Sequence, residues 1–188
     1  MMSQLLTKDA ACYAVPVVRG SPNPRHWGLA RRLRTARQHR KLTRMALAER
    51  GAVSEATVLY VETDQRLPTV DTIARLAGAL SLSAAWLAFG LGEQDNPTGP
   101  ASCEGMGDRL LSTRTHRNQT RTDLARAAEL NPGTISKIES GGTTGVDTLE
   151  KLAKALRVSP AWLAFGIGPR ELPPRRRARV TGSSSARA

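Results

Sequence analysis

Apolar residues recur along this chain in short bursts at helical spacing, and the bursts are separated by residues that start or stop helices. The second half of the sequence shows the pattern most clearly. Leu110, Leu111 and Arg114 lie at helical spacing within a stretch from Asp108 to Arg117. Thr120 has the chemistry of an N-cap, a hydroxyl able to accept from a first-turn amide, and it precedes Arg121-Thr-Asp-Leu-Ala-Arg-Ala-Ala. Asn131-Pro132 is a further start signal: asparagine caps, and proline fits the first helical position, where no N–H is needed. Ile135 and Ile138, one turn apart, should face inward, and Gly141-Gly142 should end that helix. Asp147 is predicted to cap a fourth helix with Leu149, Leu152, Ala153 and Leu156 on one face. Ser159-Pro160 opens a fifth, containing Trp162, Leu163 and Phe165 and closed by Gly166.

The first half repeats this plan. Ala85-Trp-Leu-Ala-Phe-Gly90 returns as Ala161-Trp-Leu-Ala-Phe-Gly166, and Val70-Asp-Thr72 returns in the same register as Val146-Asp-Thr148. Upstream the register slips by one residue. There Arg37, His39 and Arg40 match Arg114, His116 and Arg117, Thr43-Arg44 matches Thr120-Arg121, Leu47-Ala48 matches Leu124-Ala125, and Glu62 matches Glu139. The repeat covers about 28–92 and 105–168, and two copies of this length indicate two small domains rather than a solenoid. In the first copy Thr43 and Ser54 are the caps, Val58 and Val61 point inward, Ile73, Leu76 and Leu80 form the fourth-helix face, and Ser83 opens the fifth helix. Period-two alternation is scarce, so the predicted fold class is all-α, with two tandem five-helix domains at 26–92 and 105–169. Helices this short persist only when packed. Residues 93–104 read as a polar, acidic linker broken by Pro97 and Pro100, residues 1–25 as a flexible N-terminal arm, and residues 170–188 as a disordered Arg-rich tail. The linker could stretch to roughly 40 Å, enough for the two domains to dock independently on adjacent grooves of DNA.

Charge adds a partner. The 188 residues carry a formal net charge of +12 and a sequence pI near 11.1, which suits a polyanion such as nucleic acid. The bias is towards arginine, with lysine only at positions 8, 41, 137, 151 and 154, and a GC-rich genome would produce the same excess. No apolar run reaches the roughly 18 residues of a membrane span, and the N-terminus lacks the order of a secretory signal. The expected location is cytoplasmic and nucleoid-associated. Cys12 and Cys103 are isolated and do not cluster with His26, His39 or His116, so neither a disulfide framework nor a zinc site is expected. No nucleophile–base set and no phosphate-cradling glycine loop can be assembled. The expectation is a non-enzyme without metal, cofactor, membrane or evident small-molecule ligand.

Each repeat resembles the Cro and phage-repressor type of helix-turn-helix domain, the XRE family. The resemblance rests on Leu110, Arg114, Thr120-Arg121, Leu124-Ala125, Asn131-Pro-Gly-Thr-Ile-Ser-Lys-Ile-Glu139, Gly141, Leu149, Leu152-Ala153, Leu156 and Trp162-Leu163, with the same spacing in the first copy. It covers both repeats and neither terminus. It implies a lambda-repressor-like bundle of five helices in which the second and third form the helix-turn-helix, at about 43–62 and 120–139, with the third in the major groove of double-stranded DNA. It also implies structural ion pairs between Arg37 and Glu62 and between Arg114 and Glu139. Arg121 stands where the family often has glutamine, and suits a phosphate.

The candidate DNA-binding residues of the first copy are Thr43, Arg44, Ser54, Glu55, Thr57, Tyr60 and Arg66. Those of the second are Thr120, Arg121, Asn131, Gly133, Thr134, Ser136 and Lys137. Thr134, Ser136 and Lys137 should face outward around Ile135 and Ile138; hydroxyls reach base edges or phosphates, and lysine bonds guanine or phosphate. Gly133 would allow close approach to the DNA backbone. The first copy is less polar there. Glu55 can accept from cytosine N4 but repels phosphate, and Leu59 and Tyr60 suit either thymine methyls or a protein contact. The basic first helix, with Arg31, Arg32, Arg34, Arg40 and Lys41, speaks for DNA nearby. Trp86, Phe89, Trp162 and Phe165 are expected as core and rim residues of the fifth helices. The resemblance implies, as the sharper alternative, a pseudo-twofold contact between the two copies through these helices, which are also the candidate surface for self-association. The functional reading is a sequence-specific DNA-binding transcriptional regulator with two readers in one chain. Alternatives are a protein-interaction module of antitoxin or anti-repressor type with one degenerate copy, and a nonspecific nucleoid protein driven by its tail.

Overall fold

The computed structural model describes residues 28–95 and 102–171. The expected N-terminal arm, the middle of the expected linker and the tail beyond Glu171 lie outside the described residues. The described residues form ten α-helices: α1 Leu29–His39, α2 Arg44–Arg50, α3 Glu55–Glu62, α4 Val70–Ala79, α5 Ala84–Phe89, α6 Met106–His116, α7 Arg121–Ala128, α8 Pro132–Glu139, α9 Val146–Ala155 and α10 Pro160–Phe165. Extended pairing among them is confined to three isolated bridges. Helices α1–α5 build one bundle and α6–α10 repeat it.

Helix starts follow local side-chain chemistry. The hydroxyls of Thr43, Ser54, Thr69 and Ser83 accept from the amides of Ala46, Thr57, Thr72 and Trp86. Thr120 and Asp123 form a reciprocal capping box at α7, and Asn131 accepts from Gly133 ahead of the first-turn Pro132 of α8. One expected cap is corrected. Asp147 lies inside the first turn of α9, and the N-cap is Gly145, which has extended backbone and no side chain to offer. The Asp147 carboxylate there still complements the positive end of the helix.

Leu33, Leu47, Val58, Ile73, Leu76 and Leu87 are buried at the centre of the first bundle, and Leu110, Leu124, Ile135, Leu149, Leu152 and Leu163 take the matching places in the second. Of the helically spaced residues of α6, Leu111 is exposed; the inward residues besides Leu110 are Met106, Gly107, Thr113 and Arg114. Buried Thr113 satisfies its hydroxyl by donating to the carbonyl of Arg109 at 2.6 Å.

The two bundles pack against each other, which corrects the expectation that they dock independently. The amide of Val70 donates to the carbonyl of Thr144 at 3.0 Å, and the amide of Val146 donates to the carbonyl of Pro68 at 3.2 Å. These four residues are two repeat-equivalent pairs, so the bonds are reciprocal and bracket the bridge between Thr69 and Gly145. Helices α5 and α10 also meet, and the rings of Phe89 and Phe165 approach with centroids 6.4 Å apart. A contact in which each patch meets its own equivalent is the mark of a twofold relation. The fifth helices thus serve both core and pairing, the pairing lying within one chain.

Beyond each fifth helix the chain turns back onto its own bundle. Ser83 donates from its amide to the carbonyl of Gln94, and Ser159 does the same to Arg170. The ordered contacts therefore run past 92 and 169, into segments read from sequence as linker and tail. Arg170 itself lies over the Trp162 ring at 5.2 Å and donates to the Thr113 hydroxyl at 3.5 Å.

Candidate nucleic-acid interface

The third helix of each bundle is held from behind by a buried carboxylate at its last residue. The Glu62 side chain is fully buried, and Glu139 is 3% exposed. Arg37 meets Glu62 with Nε to Oε1 at 2.6 Å and Nη2 to Oε2 at 3.1 Å, and its Nη1 donates to the carbonyl of Leu42 at 2.8 Å. Arg114 repeats this, with Nε to Oε1 of Glu139 at 2.7 Å, Nη2 to Oε2 at 3.4 Å, and Nη1 to the carbonyl of Gln119 at 2.7 Å. One guanidinium thus ties the first helix, the turn before the second helix and the end of the third together. Burial pushes both carboxyls up, but hydrogen bonds and charge from two arginines each outweigh it, and both end below their ordinary value.

The second arginine in each set comes from the helix-turn-helix itself. Arg44 reaches Glu62 at 2.9 Å and Arg121 reaches Glu139 at 2.6 Å, both through Nε. Arg121 remains half exposed, and both side chains meet their carboxylates through Nε, so the pairing orients each guanidinium without using its whole fork.

In α8, Ile135 and Ile138 are buried, Thr134 and Ser136 are half-buried, and Gly133 and Lys137 are exposed. Asn131 and Gly133 stand at the N-terminal end of this helix, and Arg121 at its C-terminal end through Glu139. The candidate set of the second copy therefore runs along α8 from its cap, with Thr120 and Arg121 added from the start of α7. In α3, Val58 and Val61 are buried, while Glu55, Ala56, Leu59 and Tyr60 are exposed. Thr57 is half-buried, with its hydroxyl 2.8 Å from that of Ser54. Met45, at 59% exposure, adds an apolar side chain from α2, and Arg66 is exposed in the turn after α3, its amide donating to the Tyr60 carbonyl at 3.3 Å. The side-chain oxygens of Thr43, Ser54, Thr120 and Asn131 are engaged as helix caps.

Two expectations about the basic first helix change. Arg32 is turned inward: its Nε and Nη2 donate to the carbonyls of Leu87 and Ala88 at 3.0 Å, capping the end of α5. Arg109 does the same for α10, through the carbonyls of Leu163 at 3.0 Å and Ala164 at 2.8 Å. Burial lowers the pKa of both, and the helix C-terminus is where a cation is favoured. Arg34 also donates to a backbone carbonyl, that of Glu62, at 2.9 Å. Part of the charge assigned to DNA is therefore structural. Arg32 and Arg109 occupy the same place in the repeat, which marks them as equivalent but does not point to their carbonyl partners.

A family model described as a helix-turn-helix domain matches residues 29–88, and a second, described as helix-turn-helix, matches residues 110–163. The chain is a tandem helix-turn-helix protein. Each match falls within one of the two five-helix bundles, in keeping with the resemblance to the XRE family, and helix-turn-helix domains are DNA-binding modules. No curated protein and no solved structure gives a match to the whole tandem helix-turn-helix chain or to either domain. No helix among the described residues is long and apolar enough to cross a membrane, and no cluster of potential metal ligands occurs among them.

Proposed function

We propose that this tandem helix-turn-helix protein is a sequence-specific DNA-binding transcriptional regulator that acts by binding rather than catalysis. The observation that carries the reading is the two-faced character of α8: Ile135 and Ile138 are sealed into the bundle, while Gly133 and Lys137 are exposed on the other side, flanked by half-buried Thr134 and Ser136. Hydroxyl and ammonium groups at that spacing can bond base edges and phosphates along a major groove. Arg121 and Arg44, held by their carboxylates, supply fixed cationic donors for the DNA backbone.

The test is a selection from random duplexes with the full chain, followed by mobility shifts of the enriched sequence. Lys137→Ala and Ser136→Ala should weaken binding to that sequence while leaving the melting temperature unchanged. Enrichment of no sequence would overturn the reading. A second reading has a specific observation behind it: the exposed Met45, Leu59 and Tyr60 of the first domain form an apolar surface that suits a protein partner. Under that reading only the second domain reads DNA, and the same series would show no loss with Tyr60→Ala.

A further inference from the structure

We infer that one chain reads two unlike half-sites set in inverted orientation at a fixed spacing, the half-site under the first domain being recognised largely through thymine methyl groups. The inference rests on the DNA-binding reading above and adds orientation, stoichiometry and base class to it.

The orientation comes from the interdomain contact. Val70 to Thr144 and Val146 to Pro68 are one bond and its symmetry mate, Thr69 and Gly145 face each other across the same point, and Phe89 meets Phe165. Every one of these contacts joins equivalent places in the repeat, so a rotation of about half a turn exchanges the two domains. Rotation about a twofold axis leaves height along that axis unchanged. Helices α3 and α8 therefore sit at the same level on opposite sides of it, and whatever face α8 offers along the axis, α3 offers in the same direction. A DNA duplex has dyads perpendicular to its length. A protein whose own axis coincides with one of them meets the two flanking half-sites in inverted order, whereas domains related by translation would require a direct repeat.

The inequality of the half-sites comes from the side chains. Repeat-equivalent positions carry Leu59 against Ser136, Tyr60 against Lys137, and Met45 against Thr122. The first domain thus replaces small polar and cationic groups by two apolar side chains and one aromatic ring with a polar tip, and it does so at exposed positions, with Met45, Leu59 and Tyr60 at 59%, 37% and 40%. In the major groove the apolar feature is the C5-methyl of thymine, while lysine and serine address hydrogen-bonding edge atoms such as those of guanine. Glu55, exposed in the first turn of α3, has no counterpart carboxylate in α8, where Pro132 stands, and can accept from a cytosine amine. Because both domains belong to one chain, these differences are fixed in every molecule.

The experiment uses the full chain and the duplex it enriches. The expected result is one chain per duplex by native mass, with two protected half-sites of different sequence in inverted order. Inserting about five base pairs between them, half a helical turn, should remove the contribution of one half-site. Replacing thymine by deoxyuridine in the half-site under the first domain should weaken binding about fourfold per buried methyl, and Leu59→Ala should abolish that sensitivity. The same replacement in the other half-site should have little effect. Identical half-sites bound by two chains, a direct repeat, or indifference to spacing would overturn the inference while leaving DNA binding intact. A footprint restricted to the second domain would also overturn it, and would return the Met45–Leu59–Tyr60 surface to a protein partner. Failure to enrich any sequence would remove the functional reading and this inference together.

Discussion

Phe89 and Phe165 hold the same position in the two repeats, and their rings meet at 6.4 Å, tilted by 46°. That separation and tilt are within the range in which aromatic pairs attract beyond their buried area. Both side chains are otherwise buried at the ends of α5 and α10, so each is a core residue of its own bundle and a contact residue for the other.

The contact can be loosened without dismantling either bundle. Val70 and Val146 are the first residues of α4 and α9, where a helix tolerates proline, and the preceding Thr69 and Gly145 already have the extended backbone that proline requires. Val70→Pro with Val146→Pro removes both reciprocal donors. By calorimetry the parent should unfold in one transition and the double variant in two, one per domain. A double variant that still unfolds in one step would show that the backbone bonds contribute nothing to coupling.

Arg114→Ala should destabilise the second domain by about 1–3 kcal/mol, because Glu139 stays buried with only the exposed Arg121 to compensate it. Arg121→Ala should cost less, about 0–1 kcal/mol, since the fixed Arg114 pair remains. Denaturant midpoints of the two variants check the order.

Acid should destabilise both domains. The carboxyls of Glu62 and Glu139 lie below their ordinary value in the folded protein, so their contribution is fully present above the unfolded value of about 4.3 and is lost as pH falls through the lower folded values. Asp64 acts in the opposite sense, because burial raises it. Melting temperature should therefore fall between about pH 5 and pH 3. Glu62→Gln with Glu139→Gln should start lower and show a flatter acid limb.

Gly107→Ala should destabilise the second domain by about 1–3 kcal/mol despite alanine's better helix propensity. A methyl there would lie 2.6 Å from the carbonyl oxygen of Ile138 and 3.0 Å from that of Glu139, and backbone cannot step aside as a flexible side chain can. The equivalent residue of the first domain is Ala30, so the reverse change, Ala30→Gly, should cost only about 0.5–1 kcal/mol by propensity. Thermal melts of the two single variants compare the sites directly.

What the sequence made legible was mostly local. Thr43, Ser54, Thr120 and Asn131 announce their helices because a cap depends on a side chain and amides only two or three residues away. Asp147 misled because an acidic residue is favoured both at the cap and just inside it, and only the backbone at Gly145 distinguishes the two. The inward turn of Arg32 and Arg109 was hidden because their partners are carbonyls more than fifty positions away, and a carbonyl carries no residue-type signature. The meeting of Phe89 with Phe165 entered only as the alternative that the family resemblance implies, because a buried aromatic looks the same in the pattern whether its neighbour is its own bundle or the other one. In the candidate interface, the outward position of Lys137 followed from the isoleucine spacing, whereas the anchoring of Arg44 and Arg121 on the buried carboxylates became visible only in three dimensions.

Two separate molecules joined through surfaces such as these would come apart on dilution, because their encounter is second order in concentration. Here the reciprocal bonds between Val70 and Thr144 and between Val146 and Pro68 join parts of one chain, and the encounter is first order. Halving the number of molecules in a cell halves the number of paired domains rather than quartering it. The protein's occupancy of any target should accordingly rise in simple proportion at low abundance, without the threshold that assembly from separate subunits imposes.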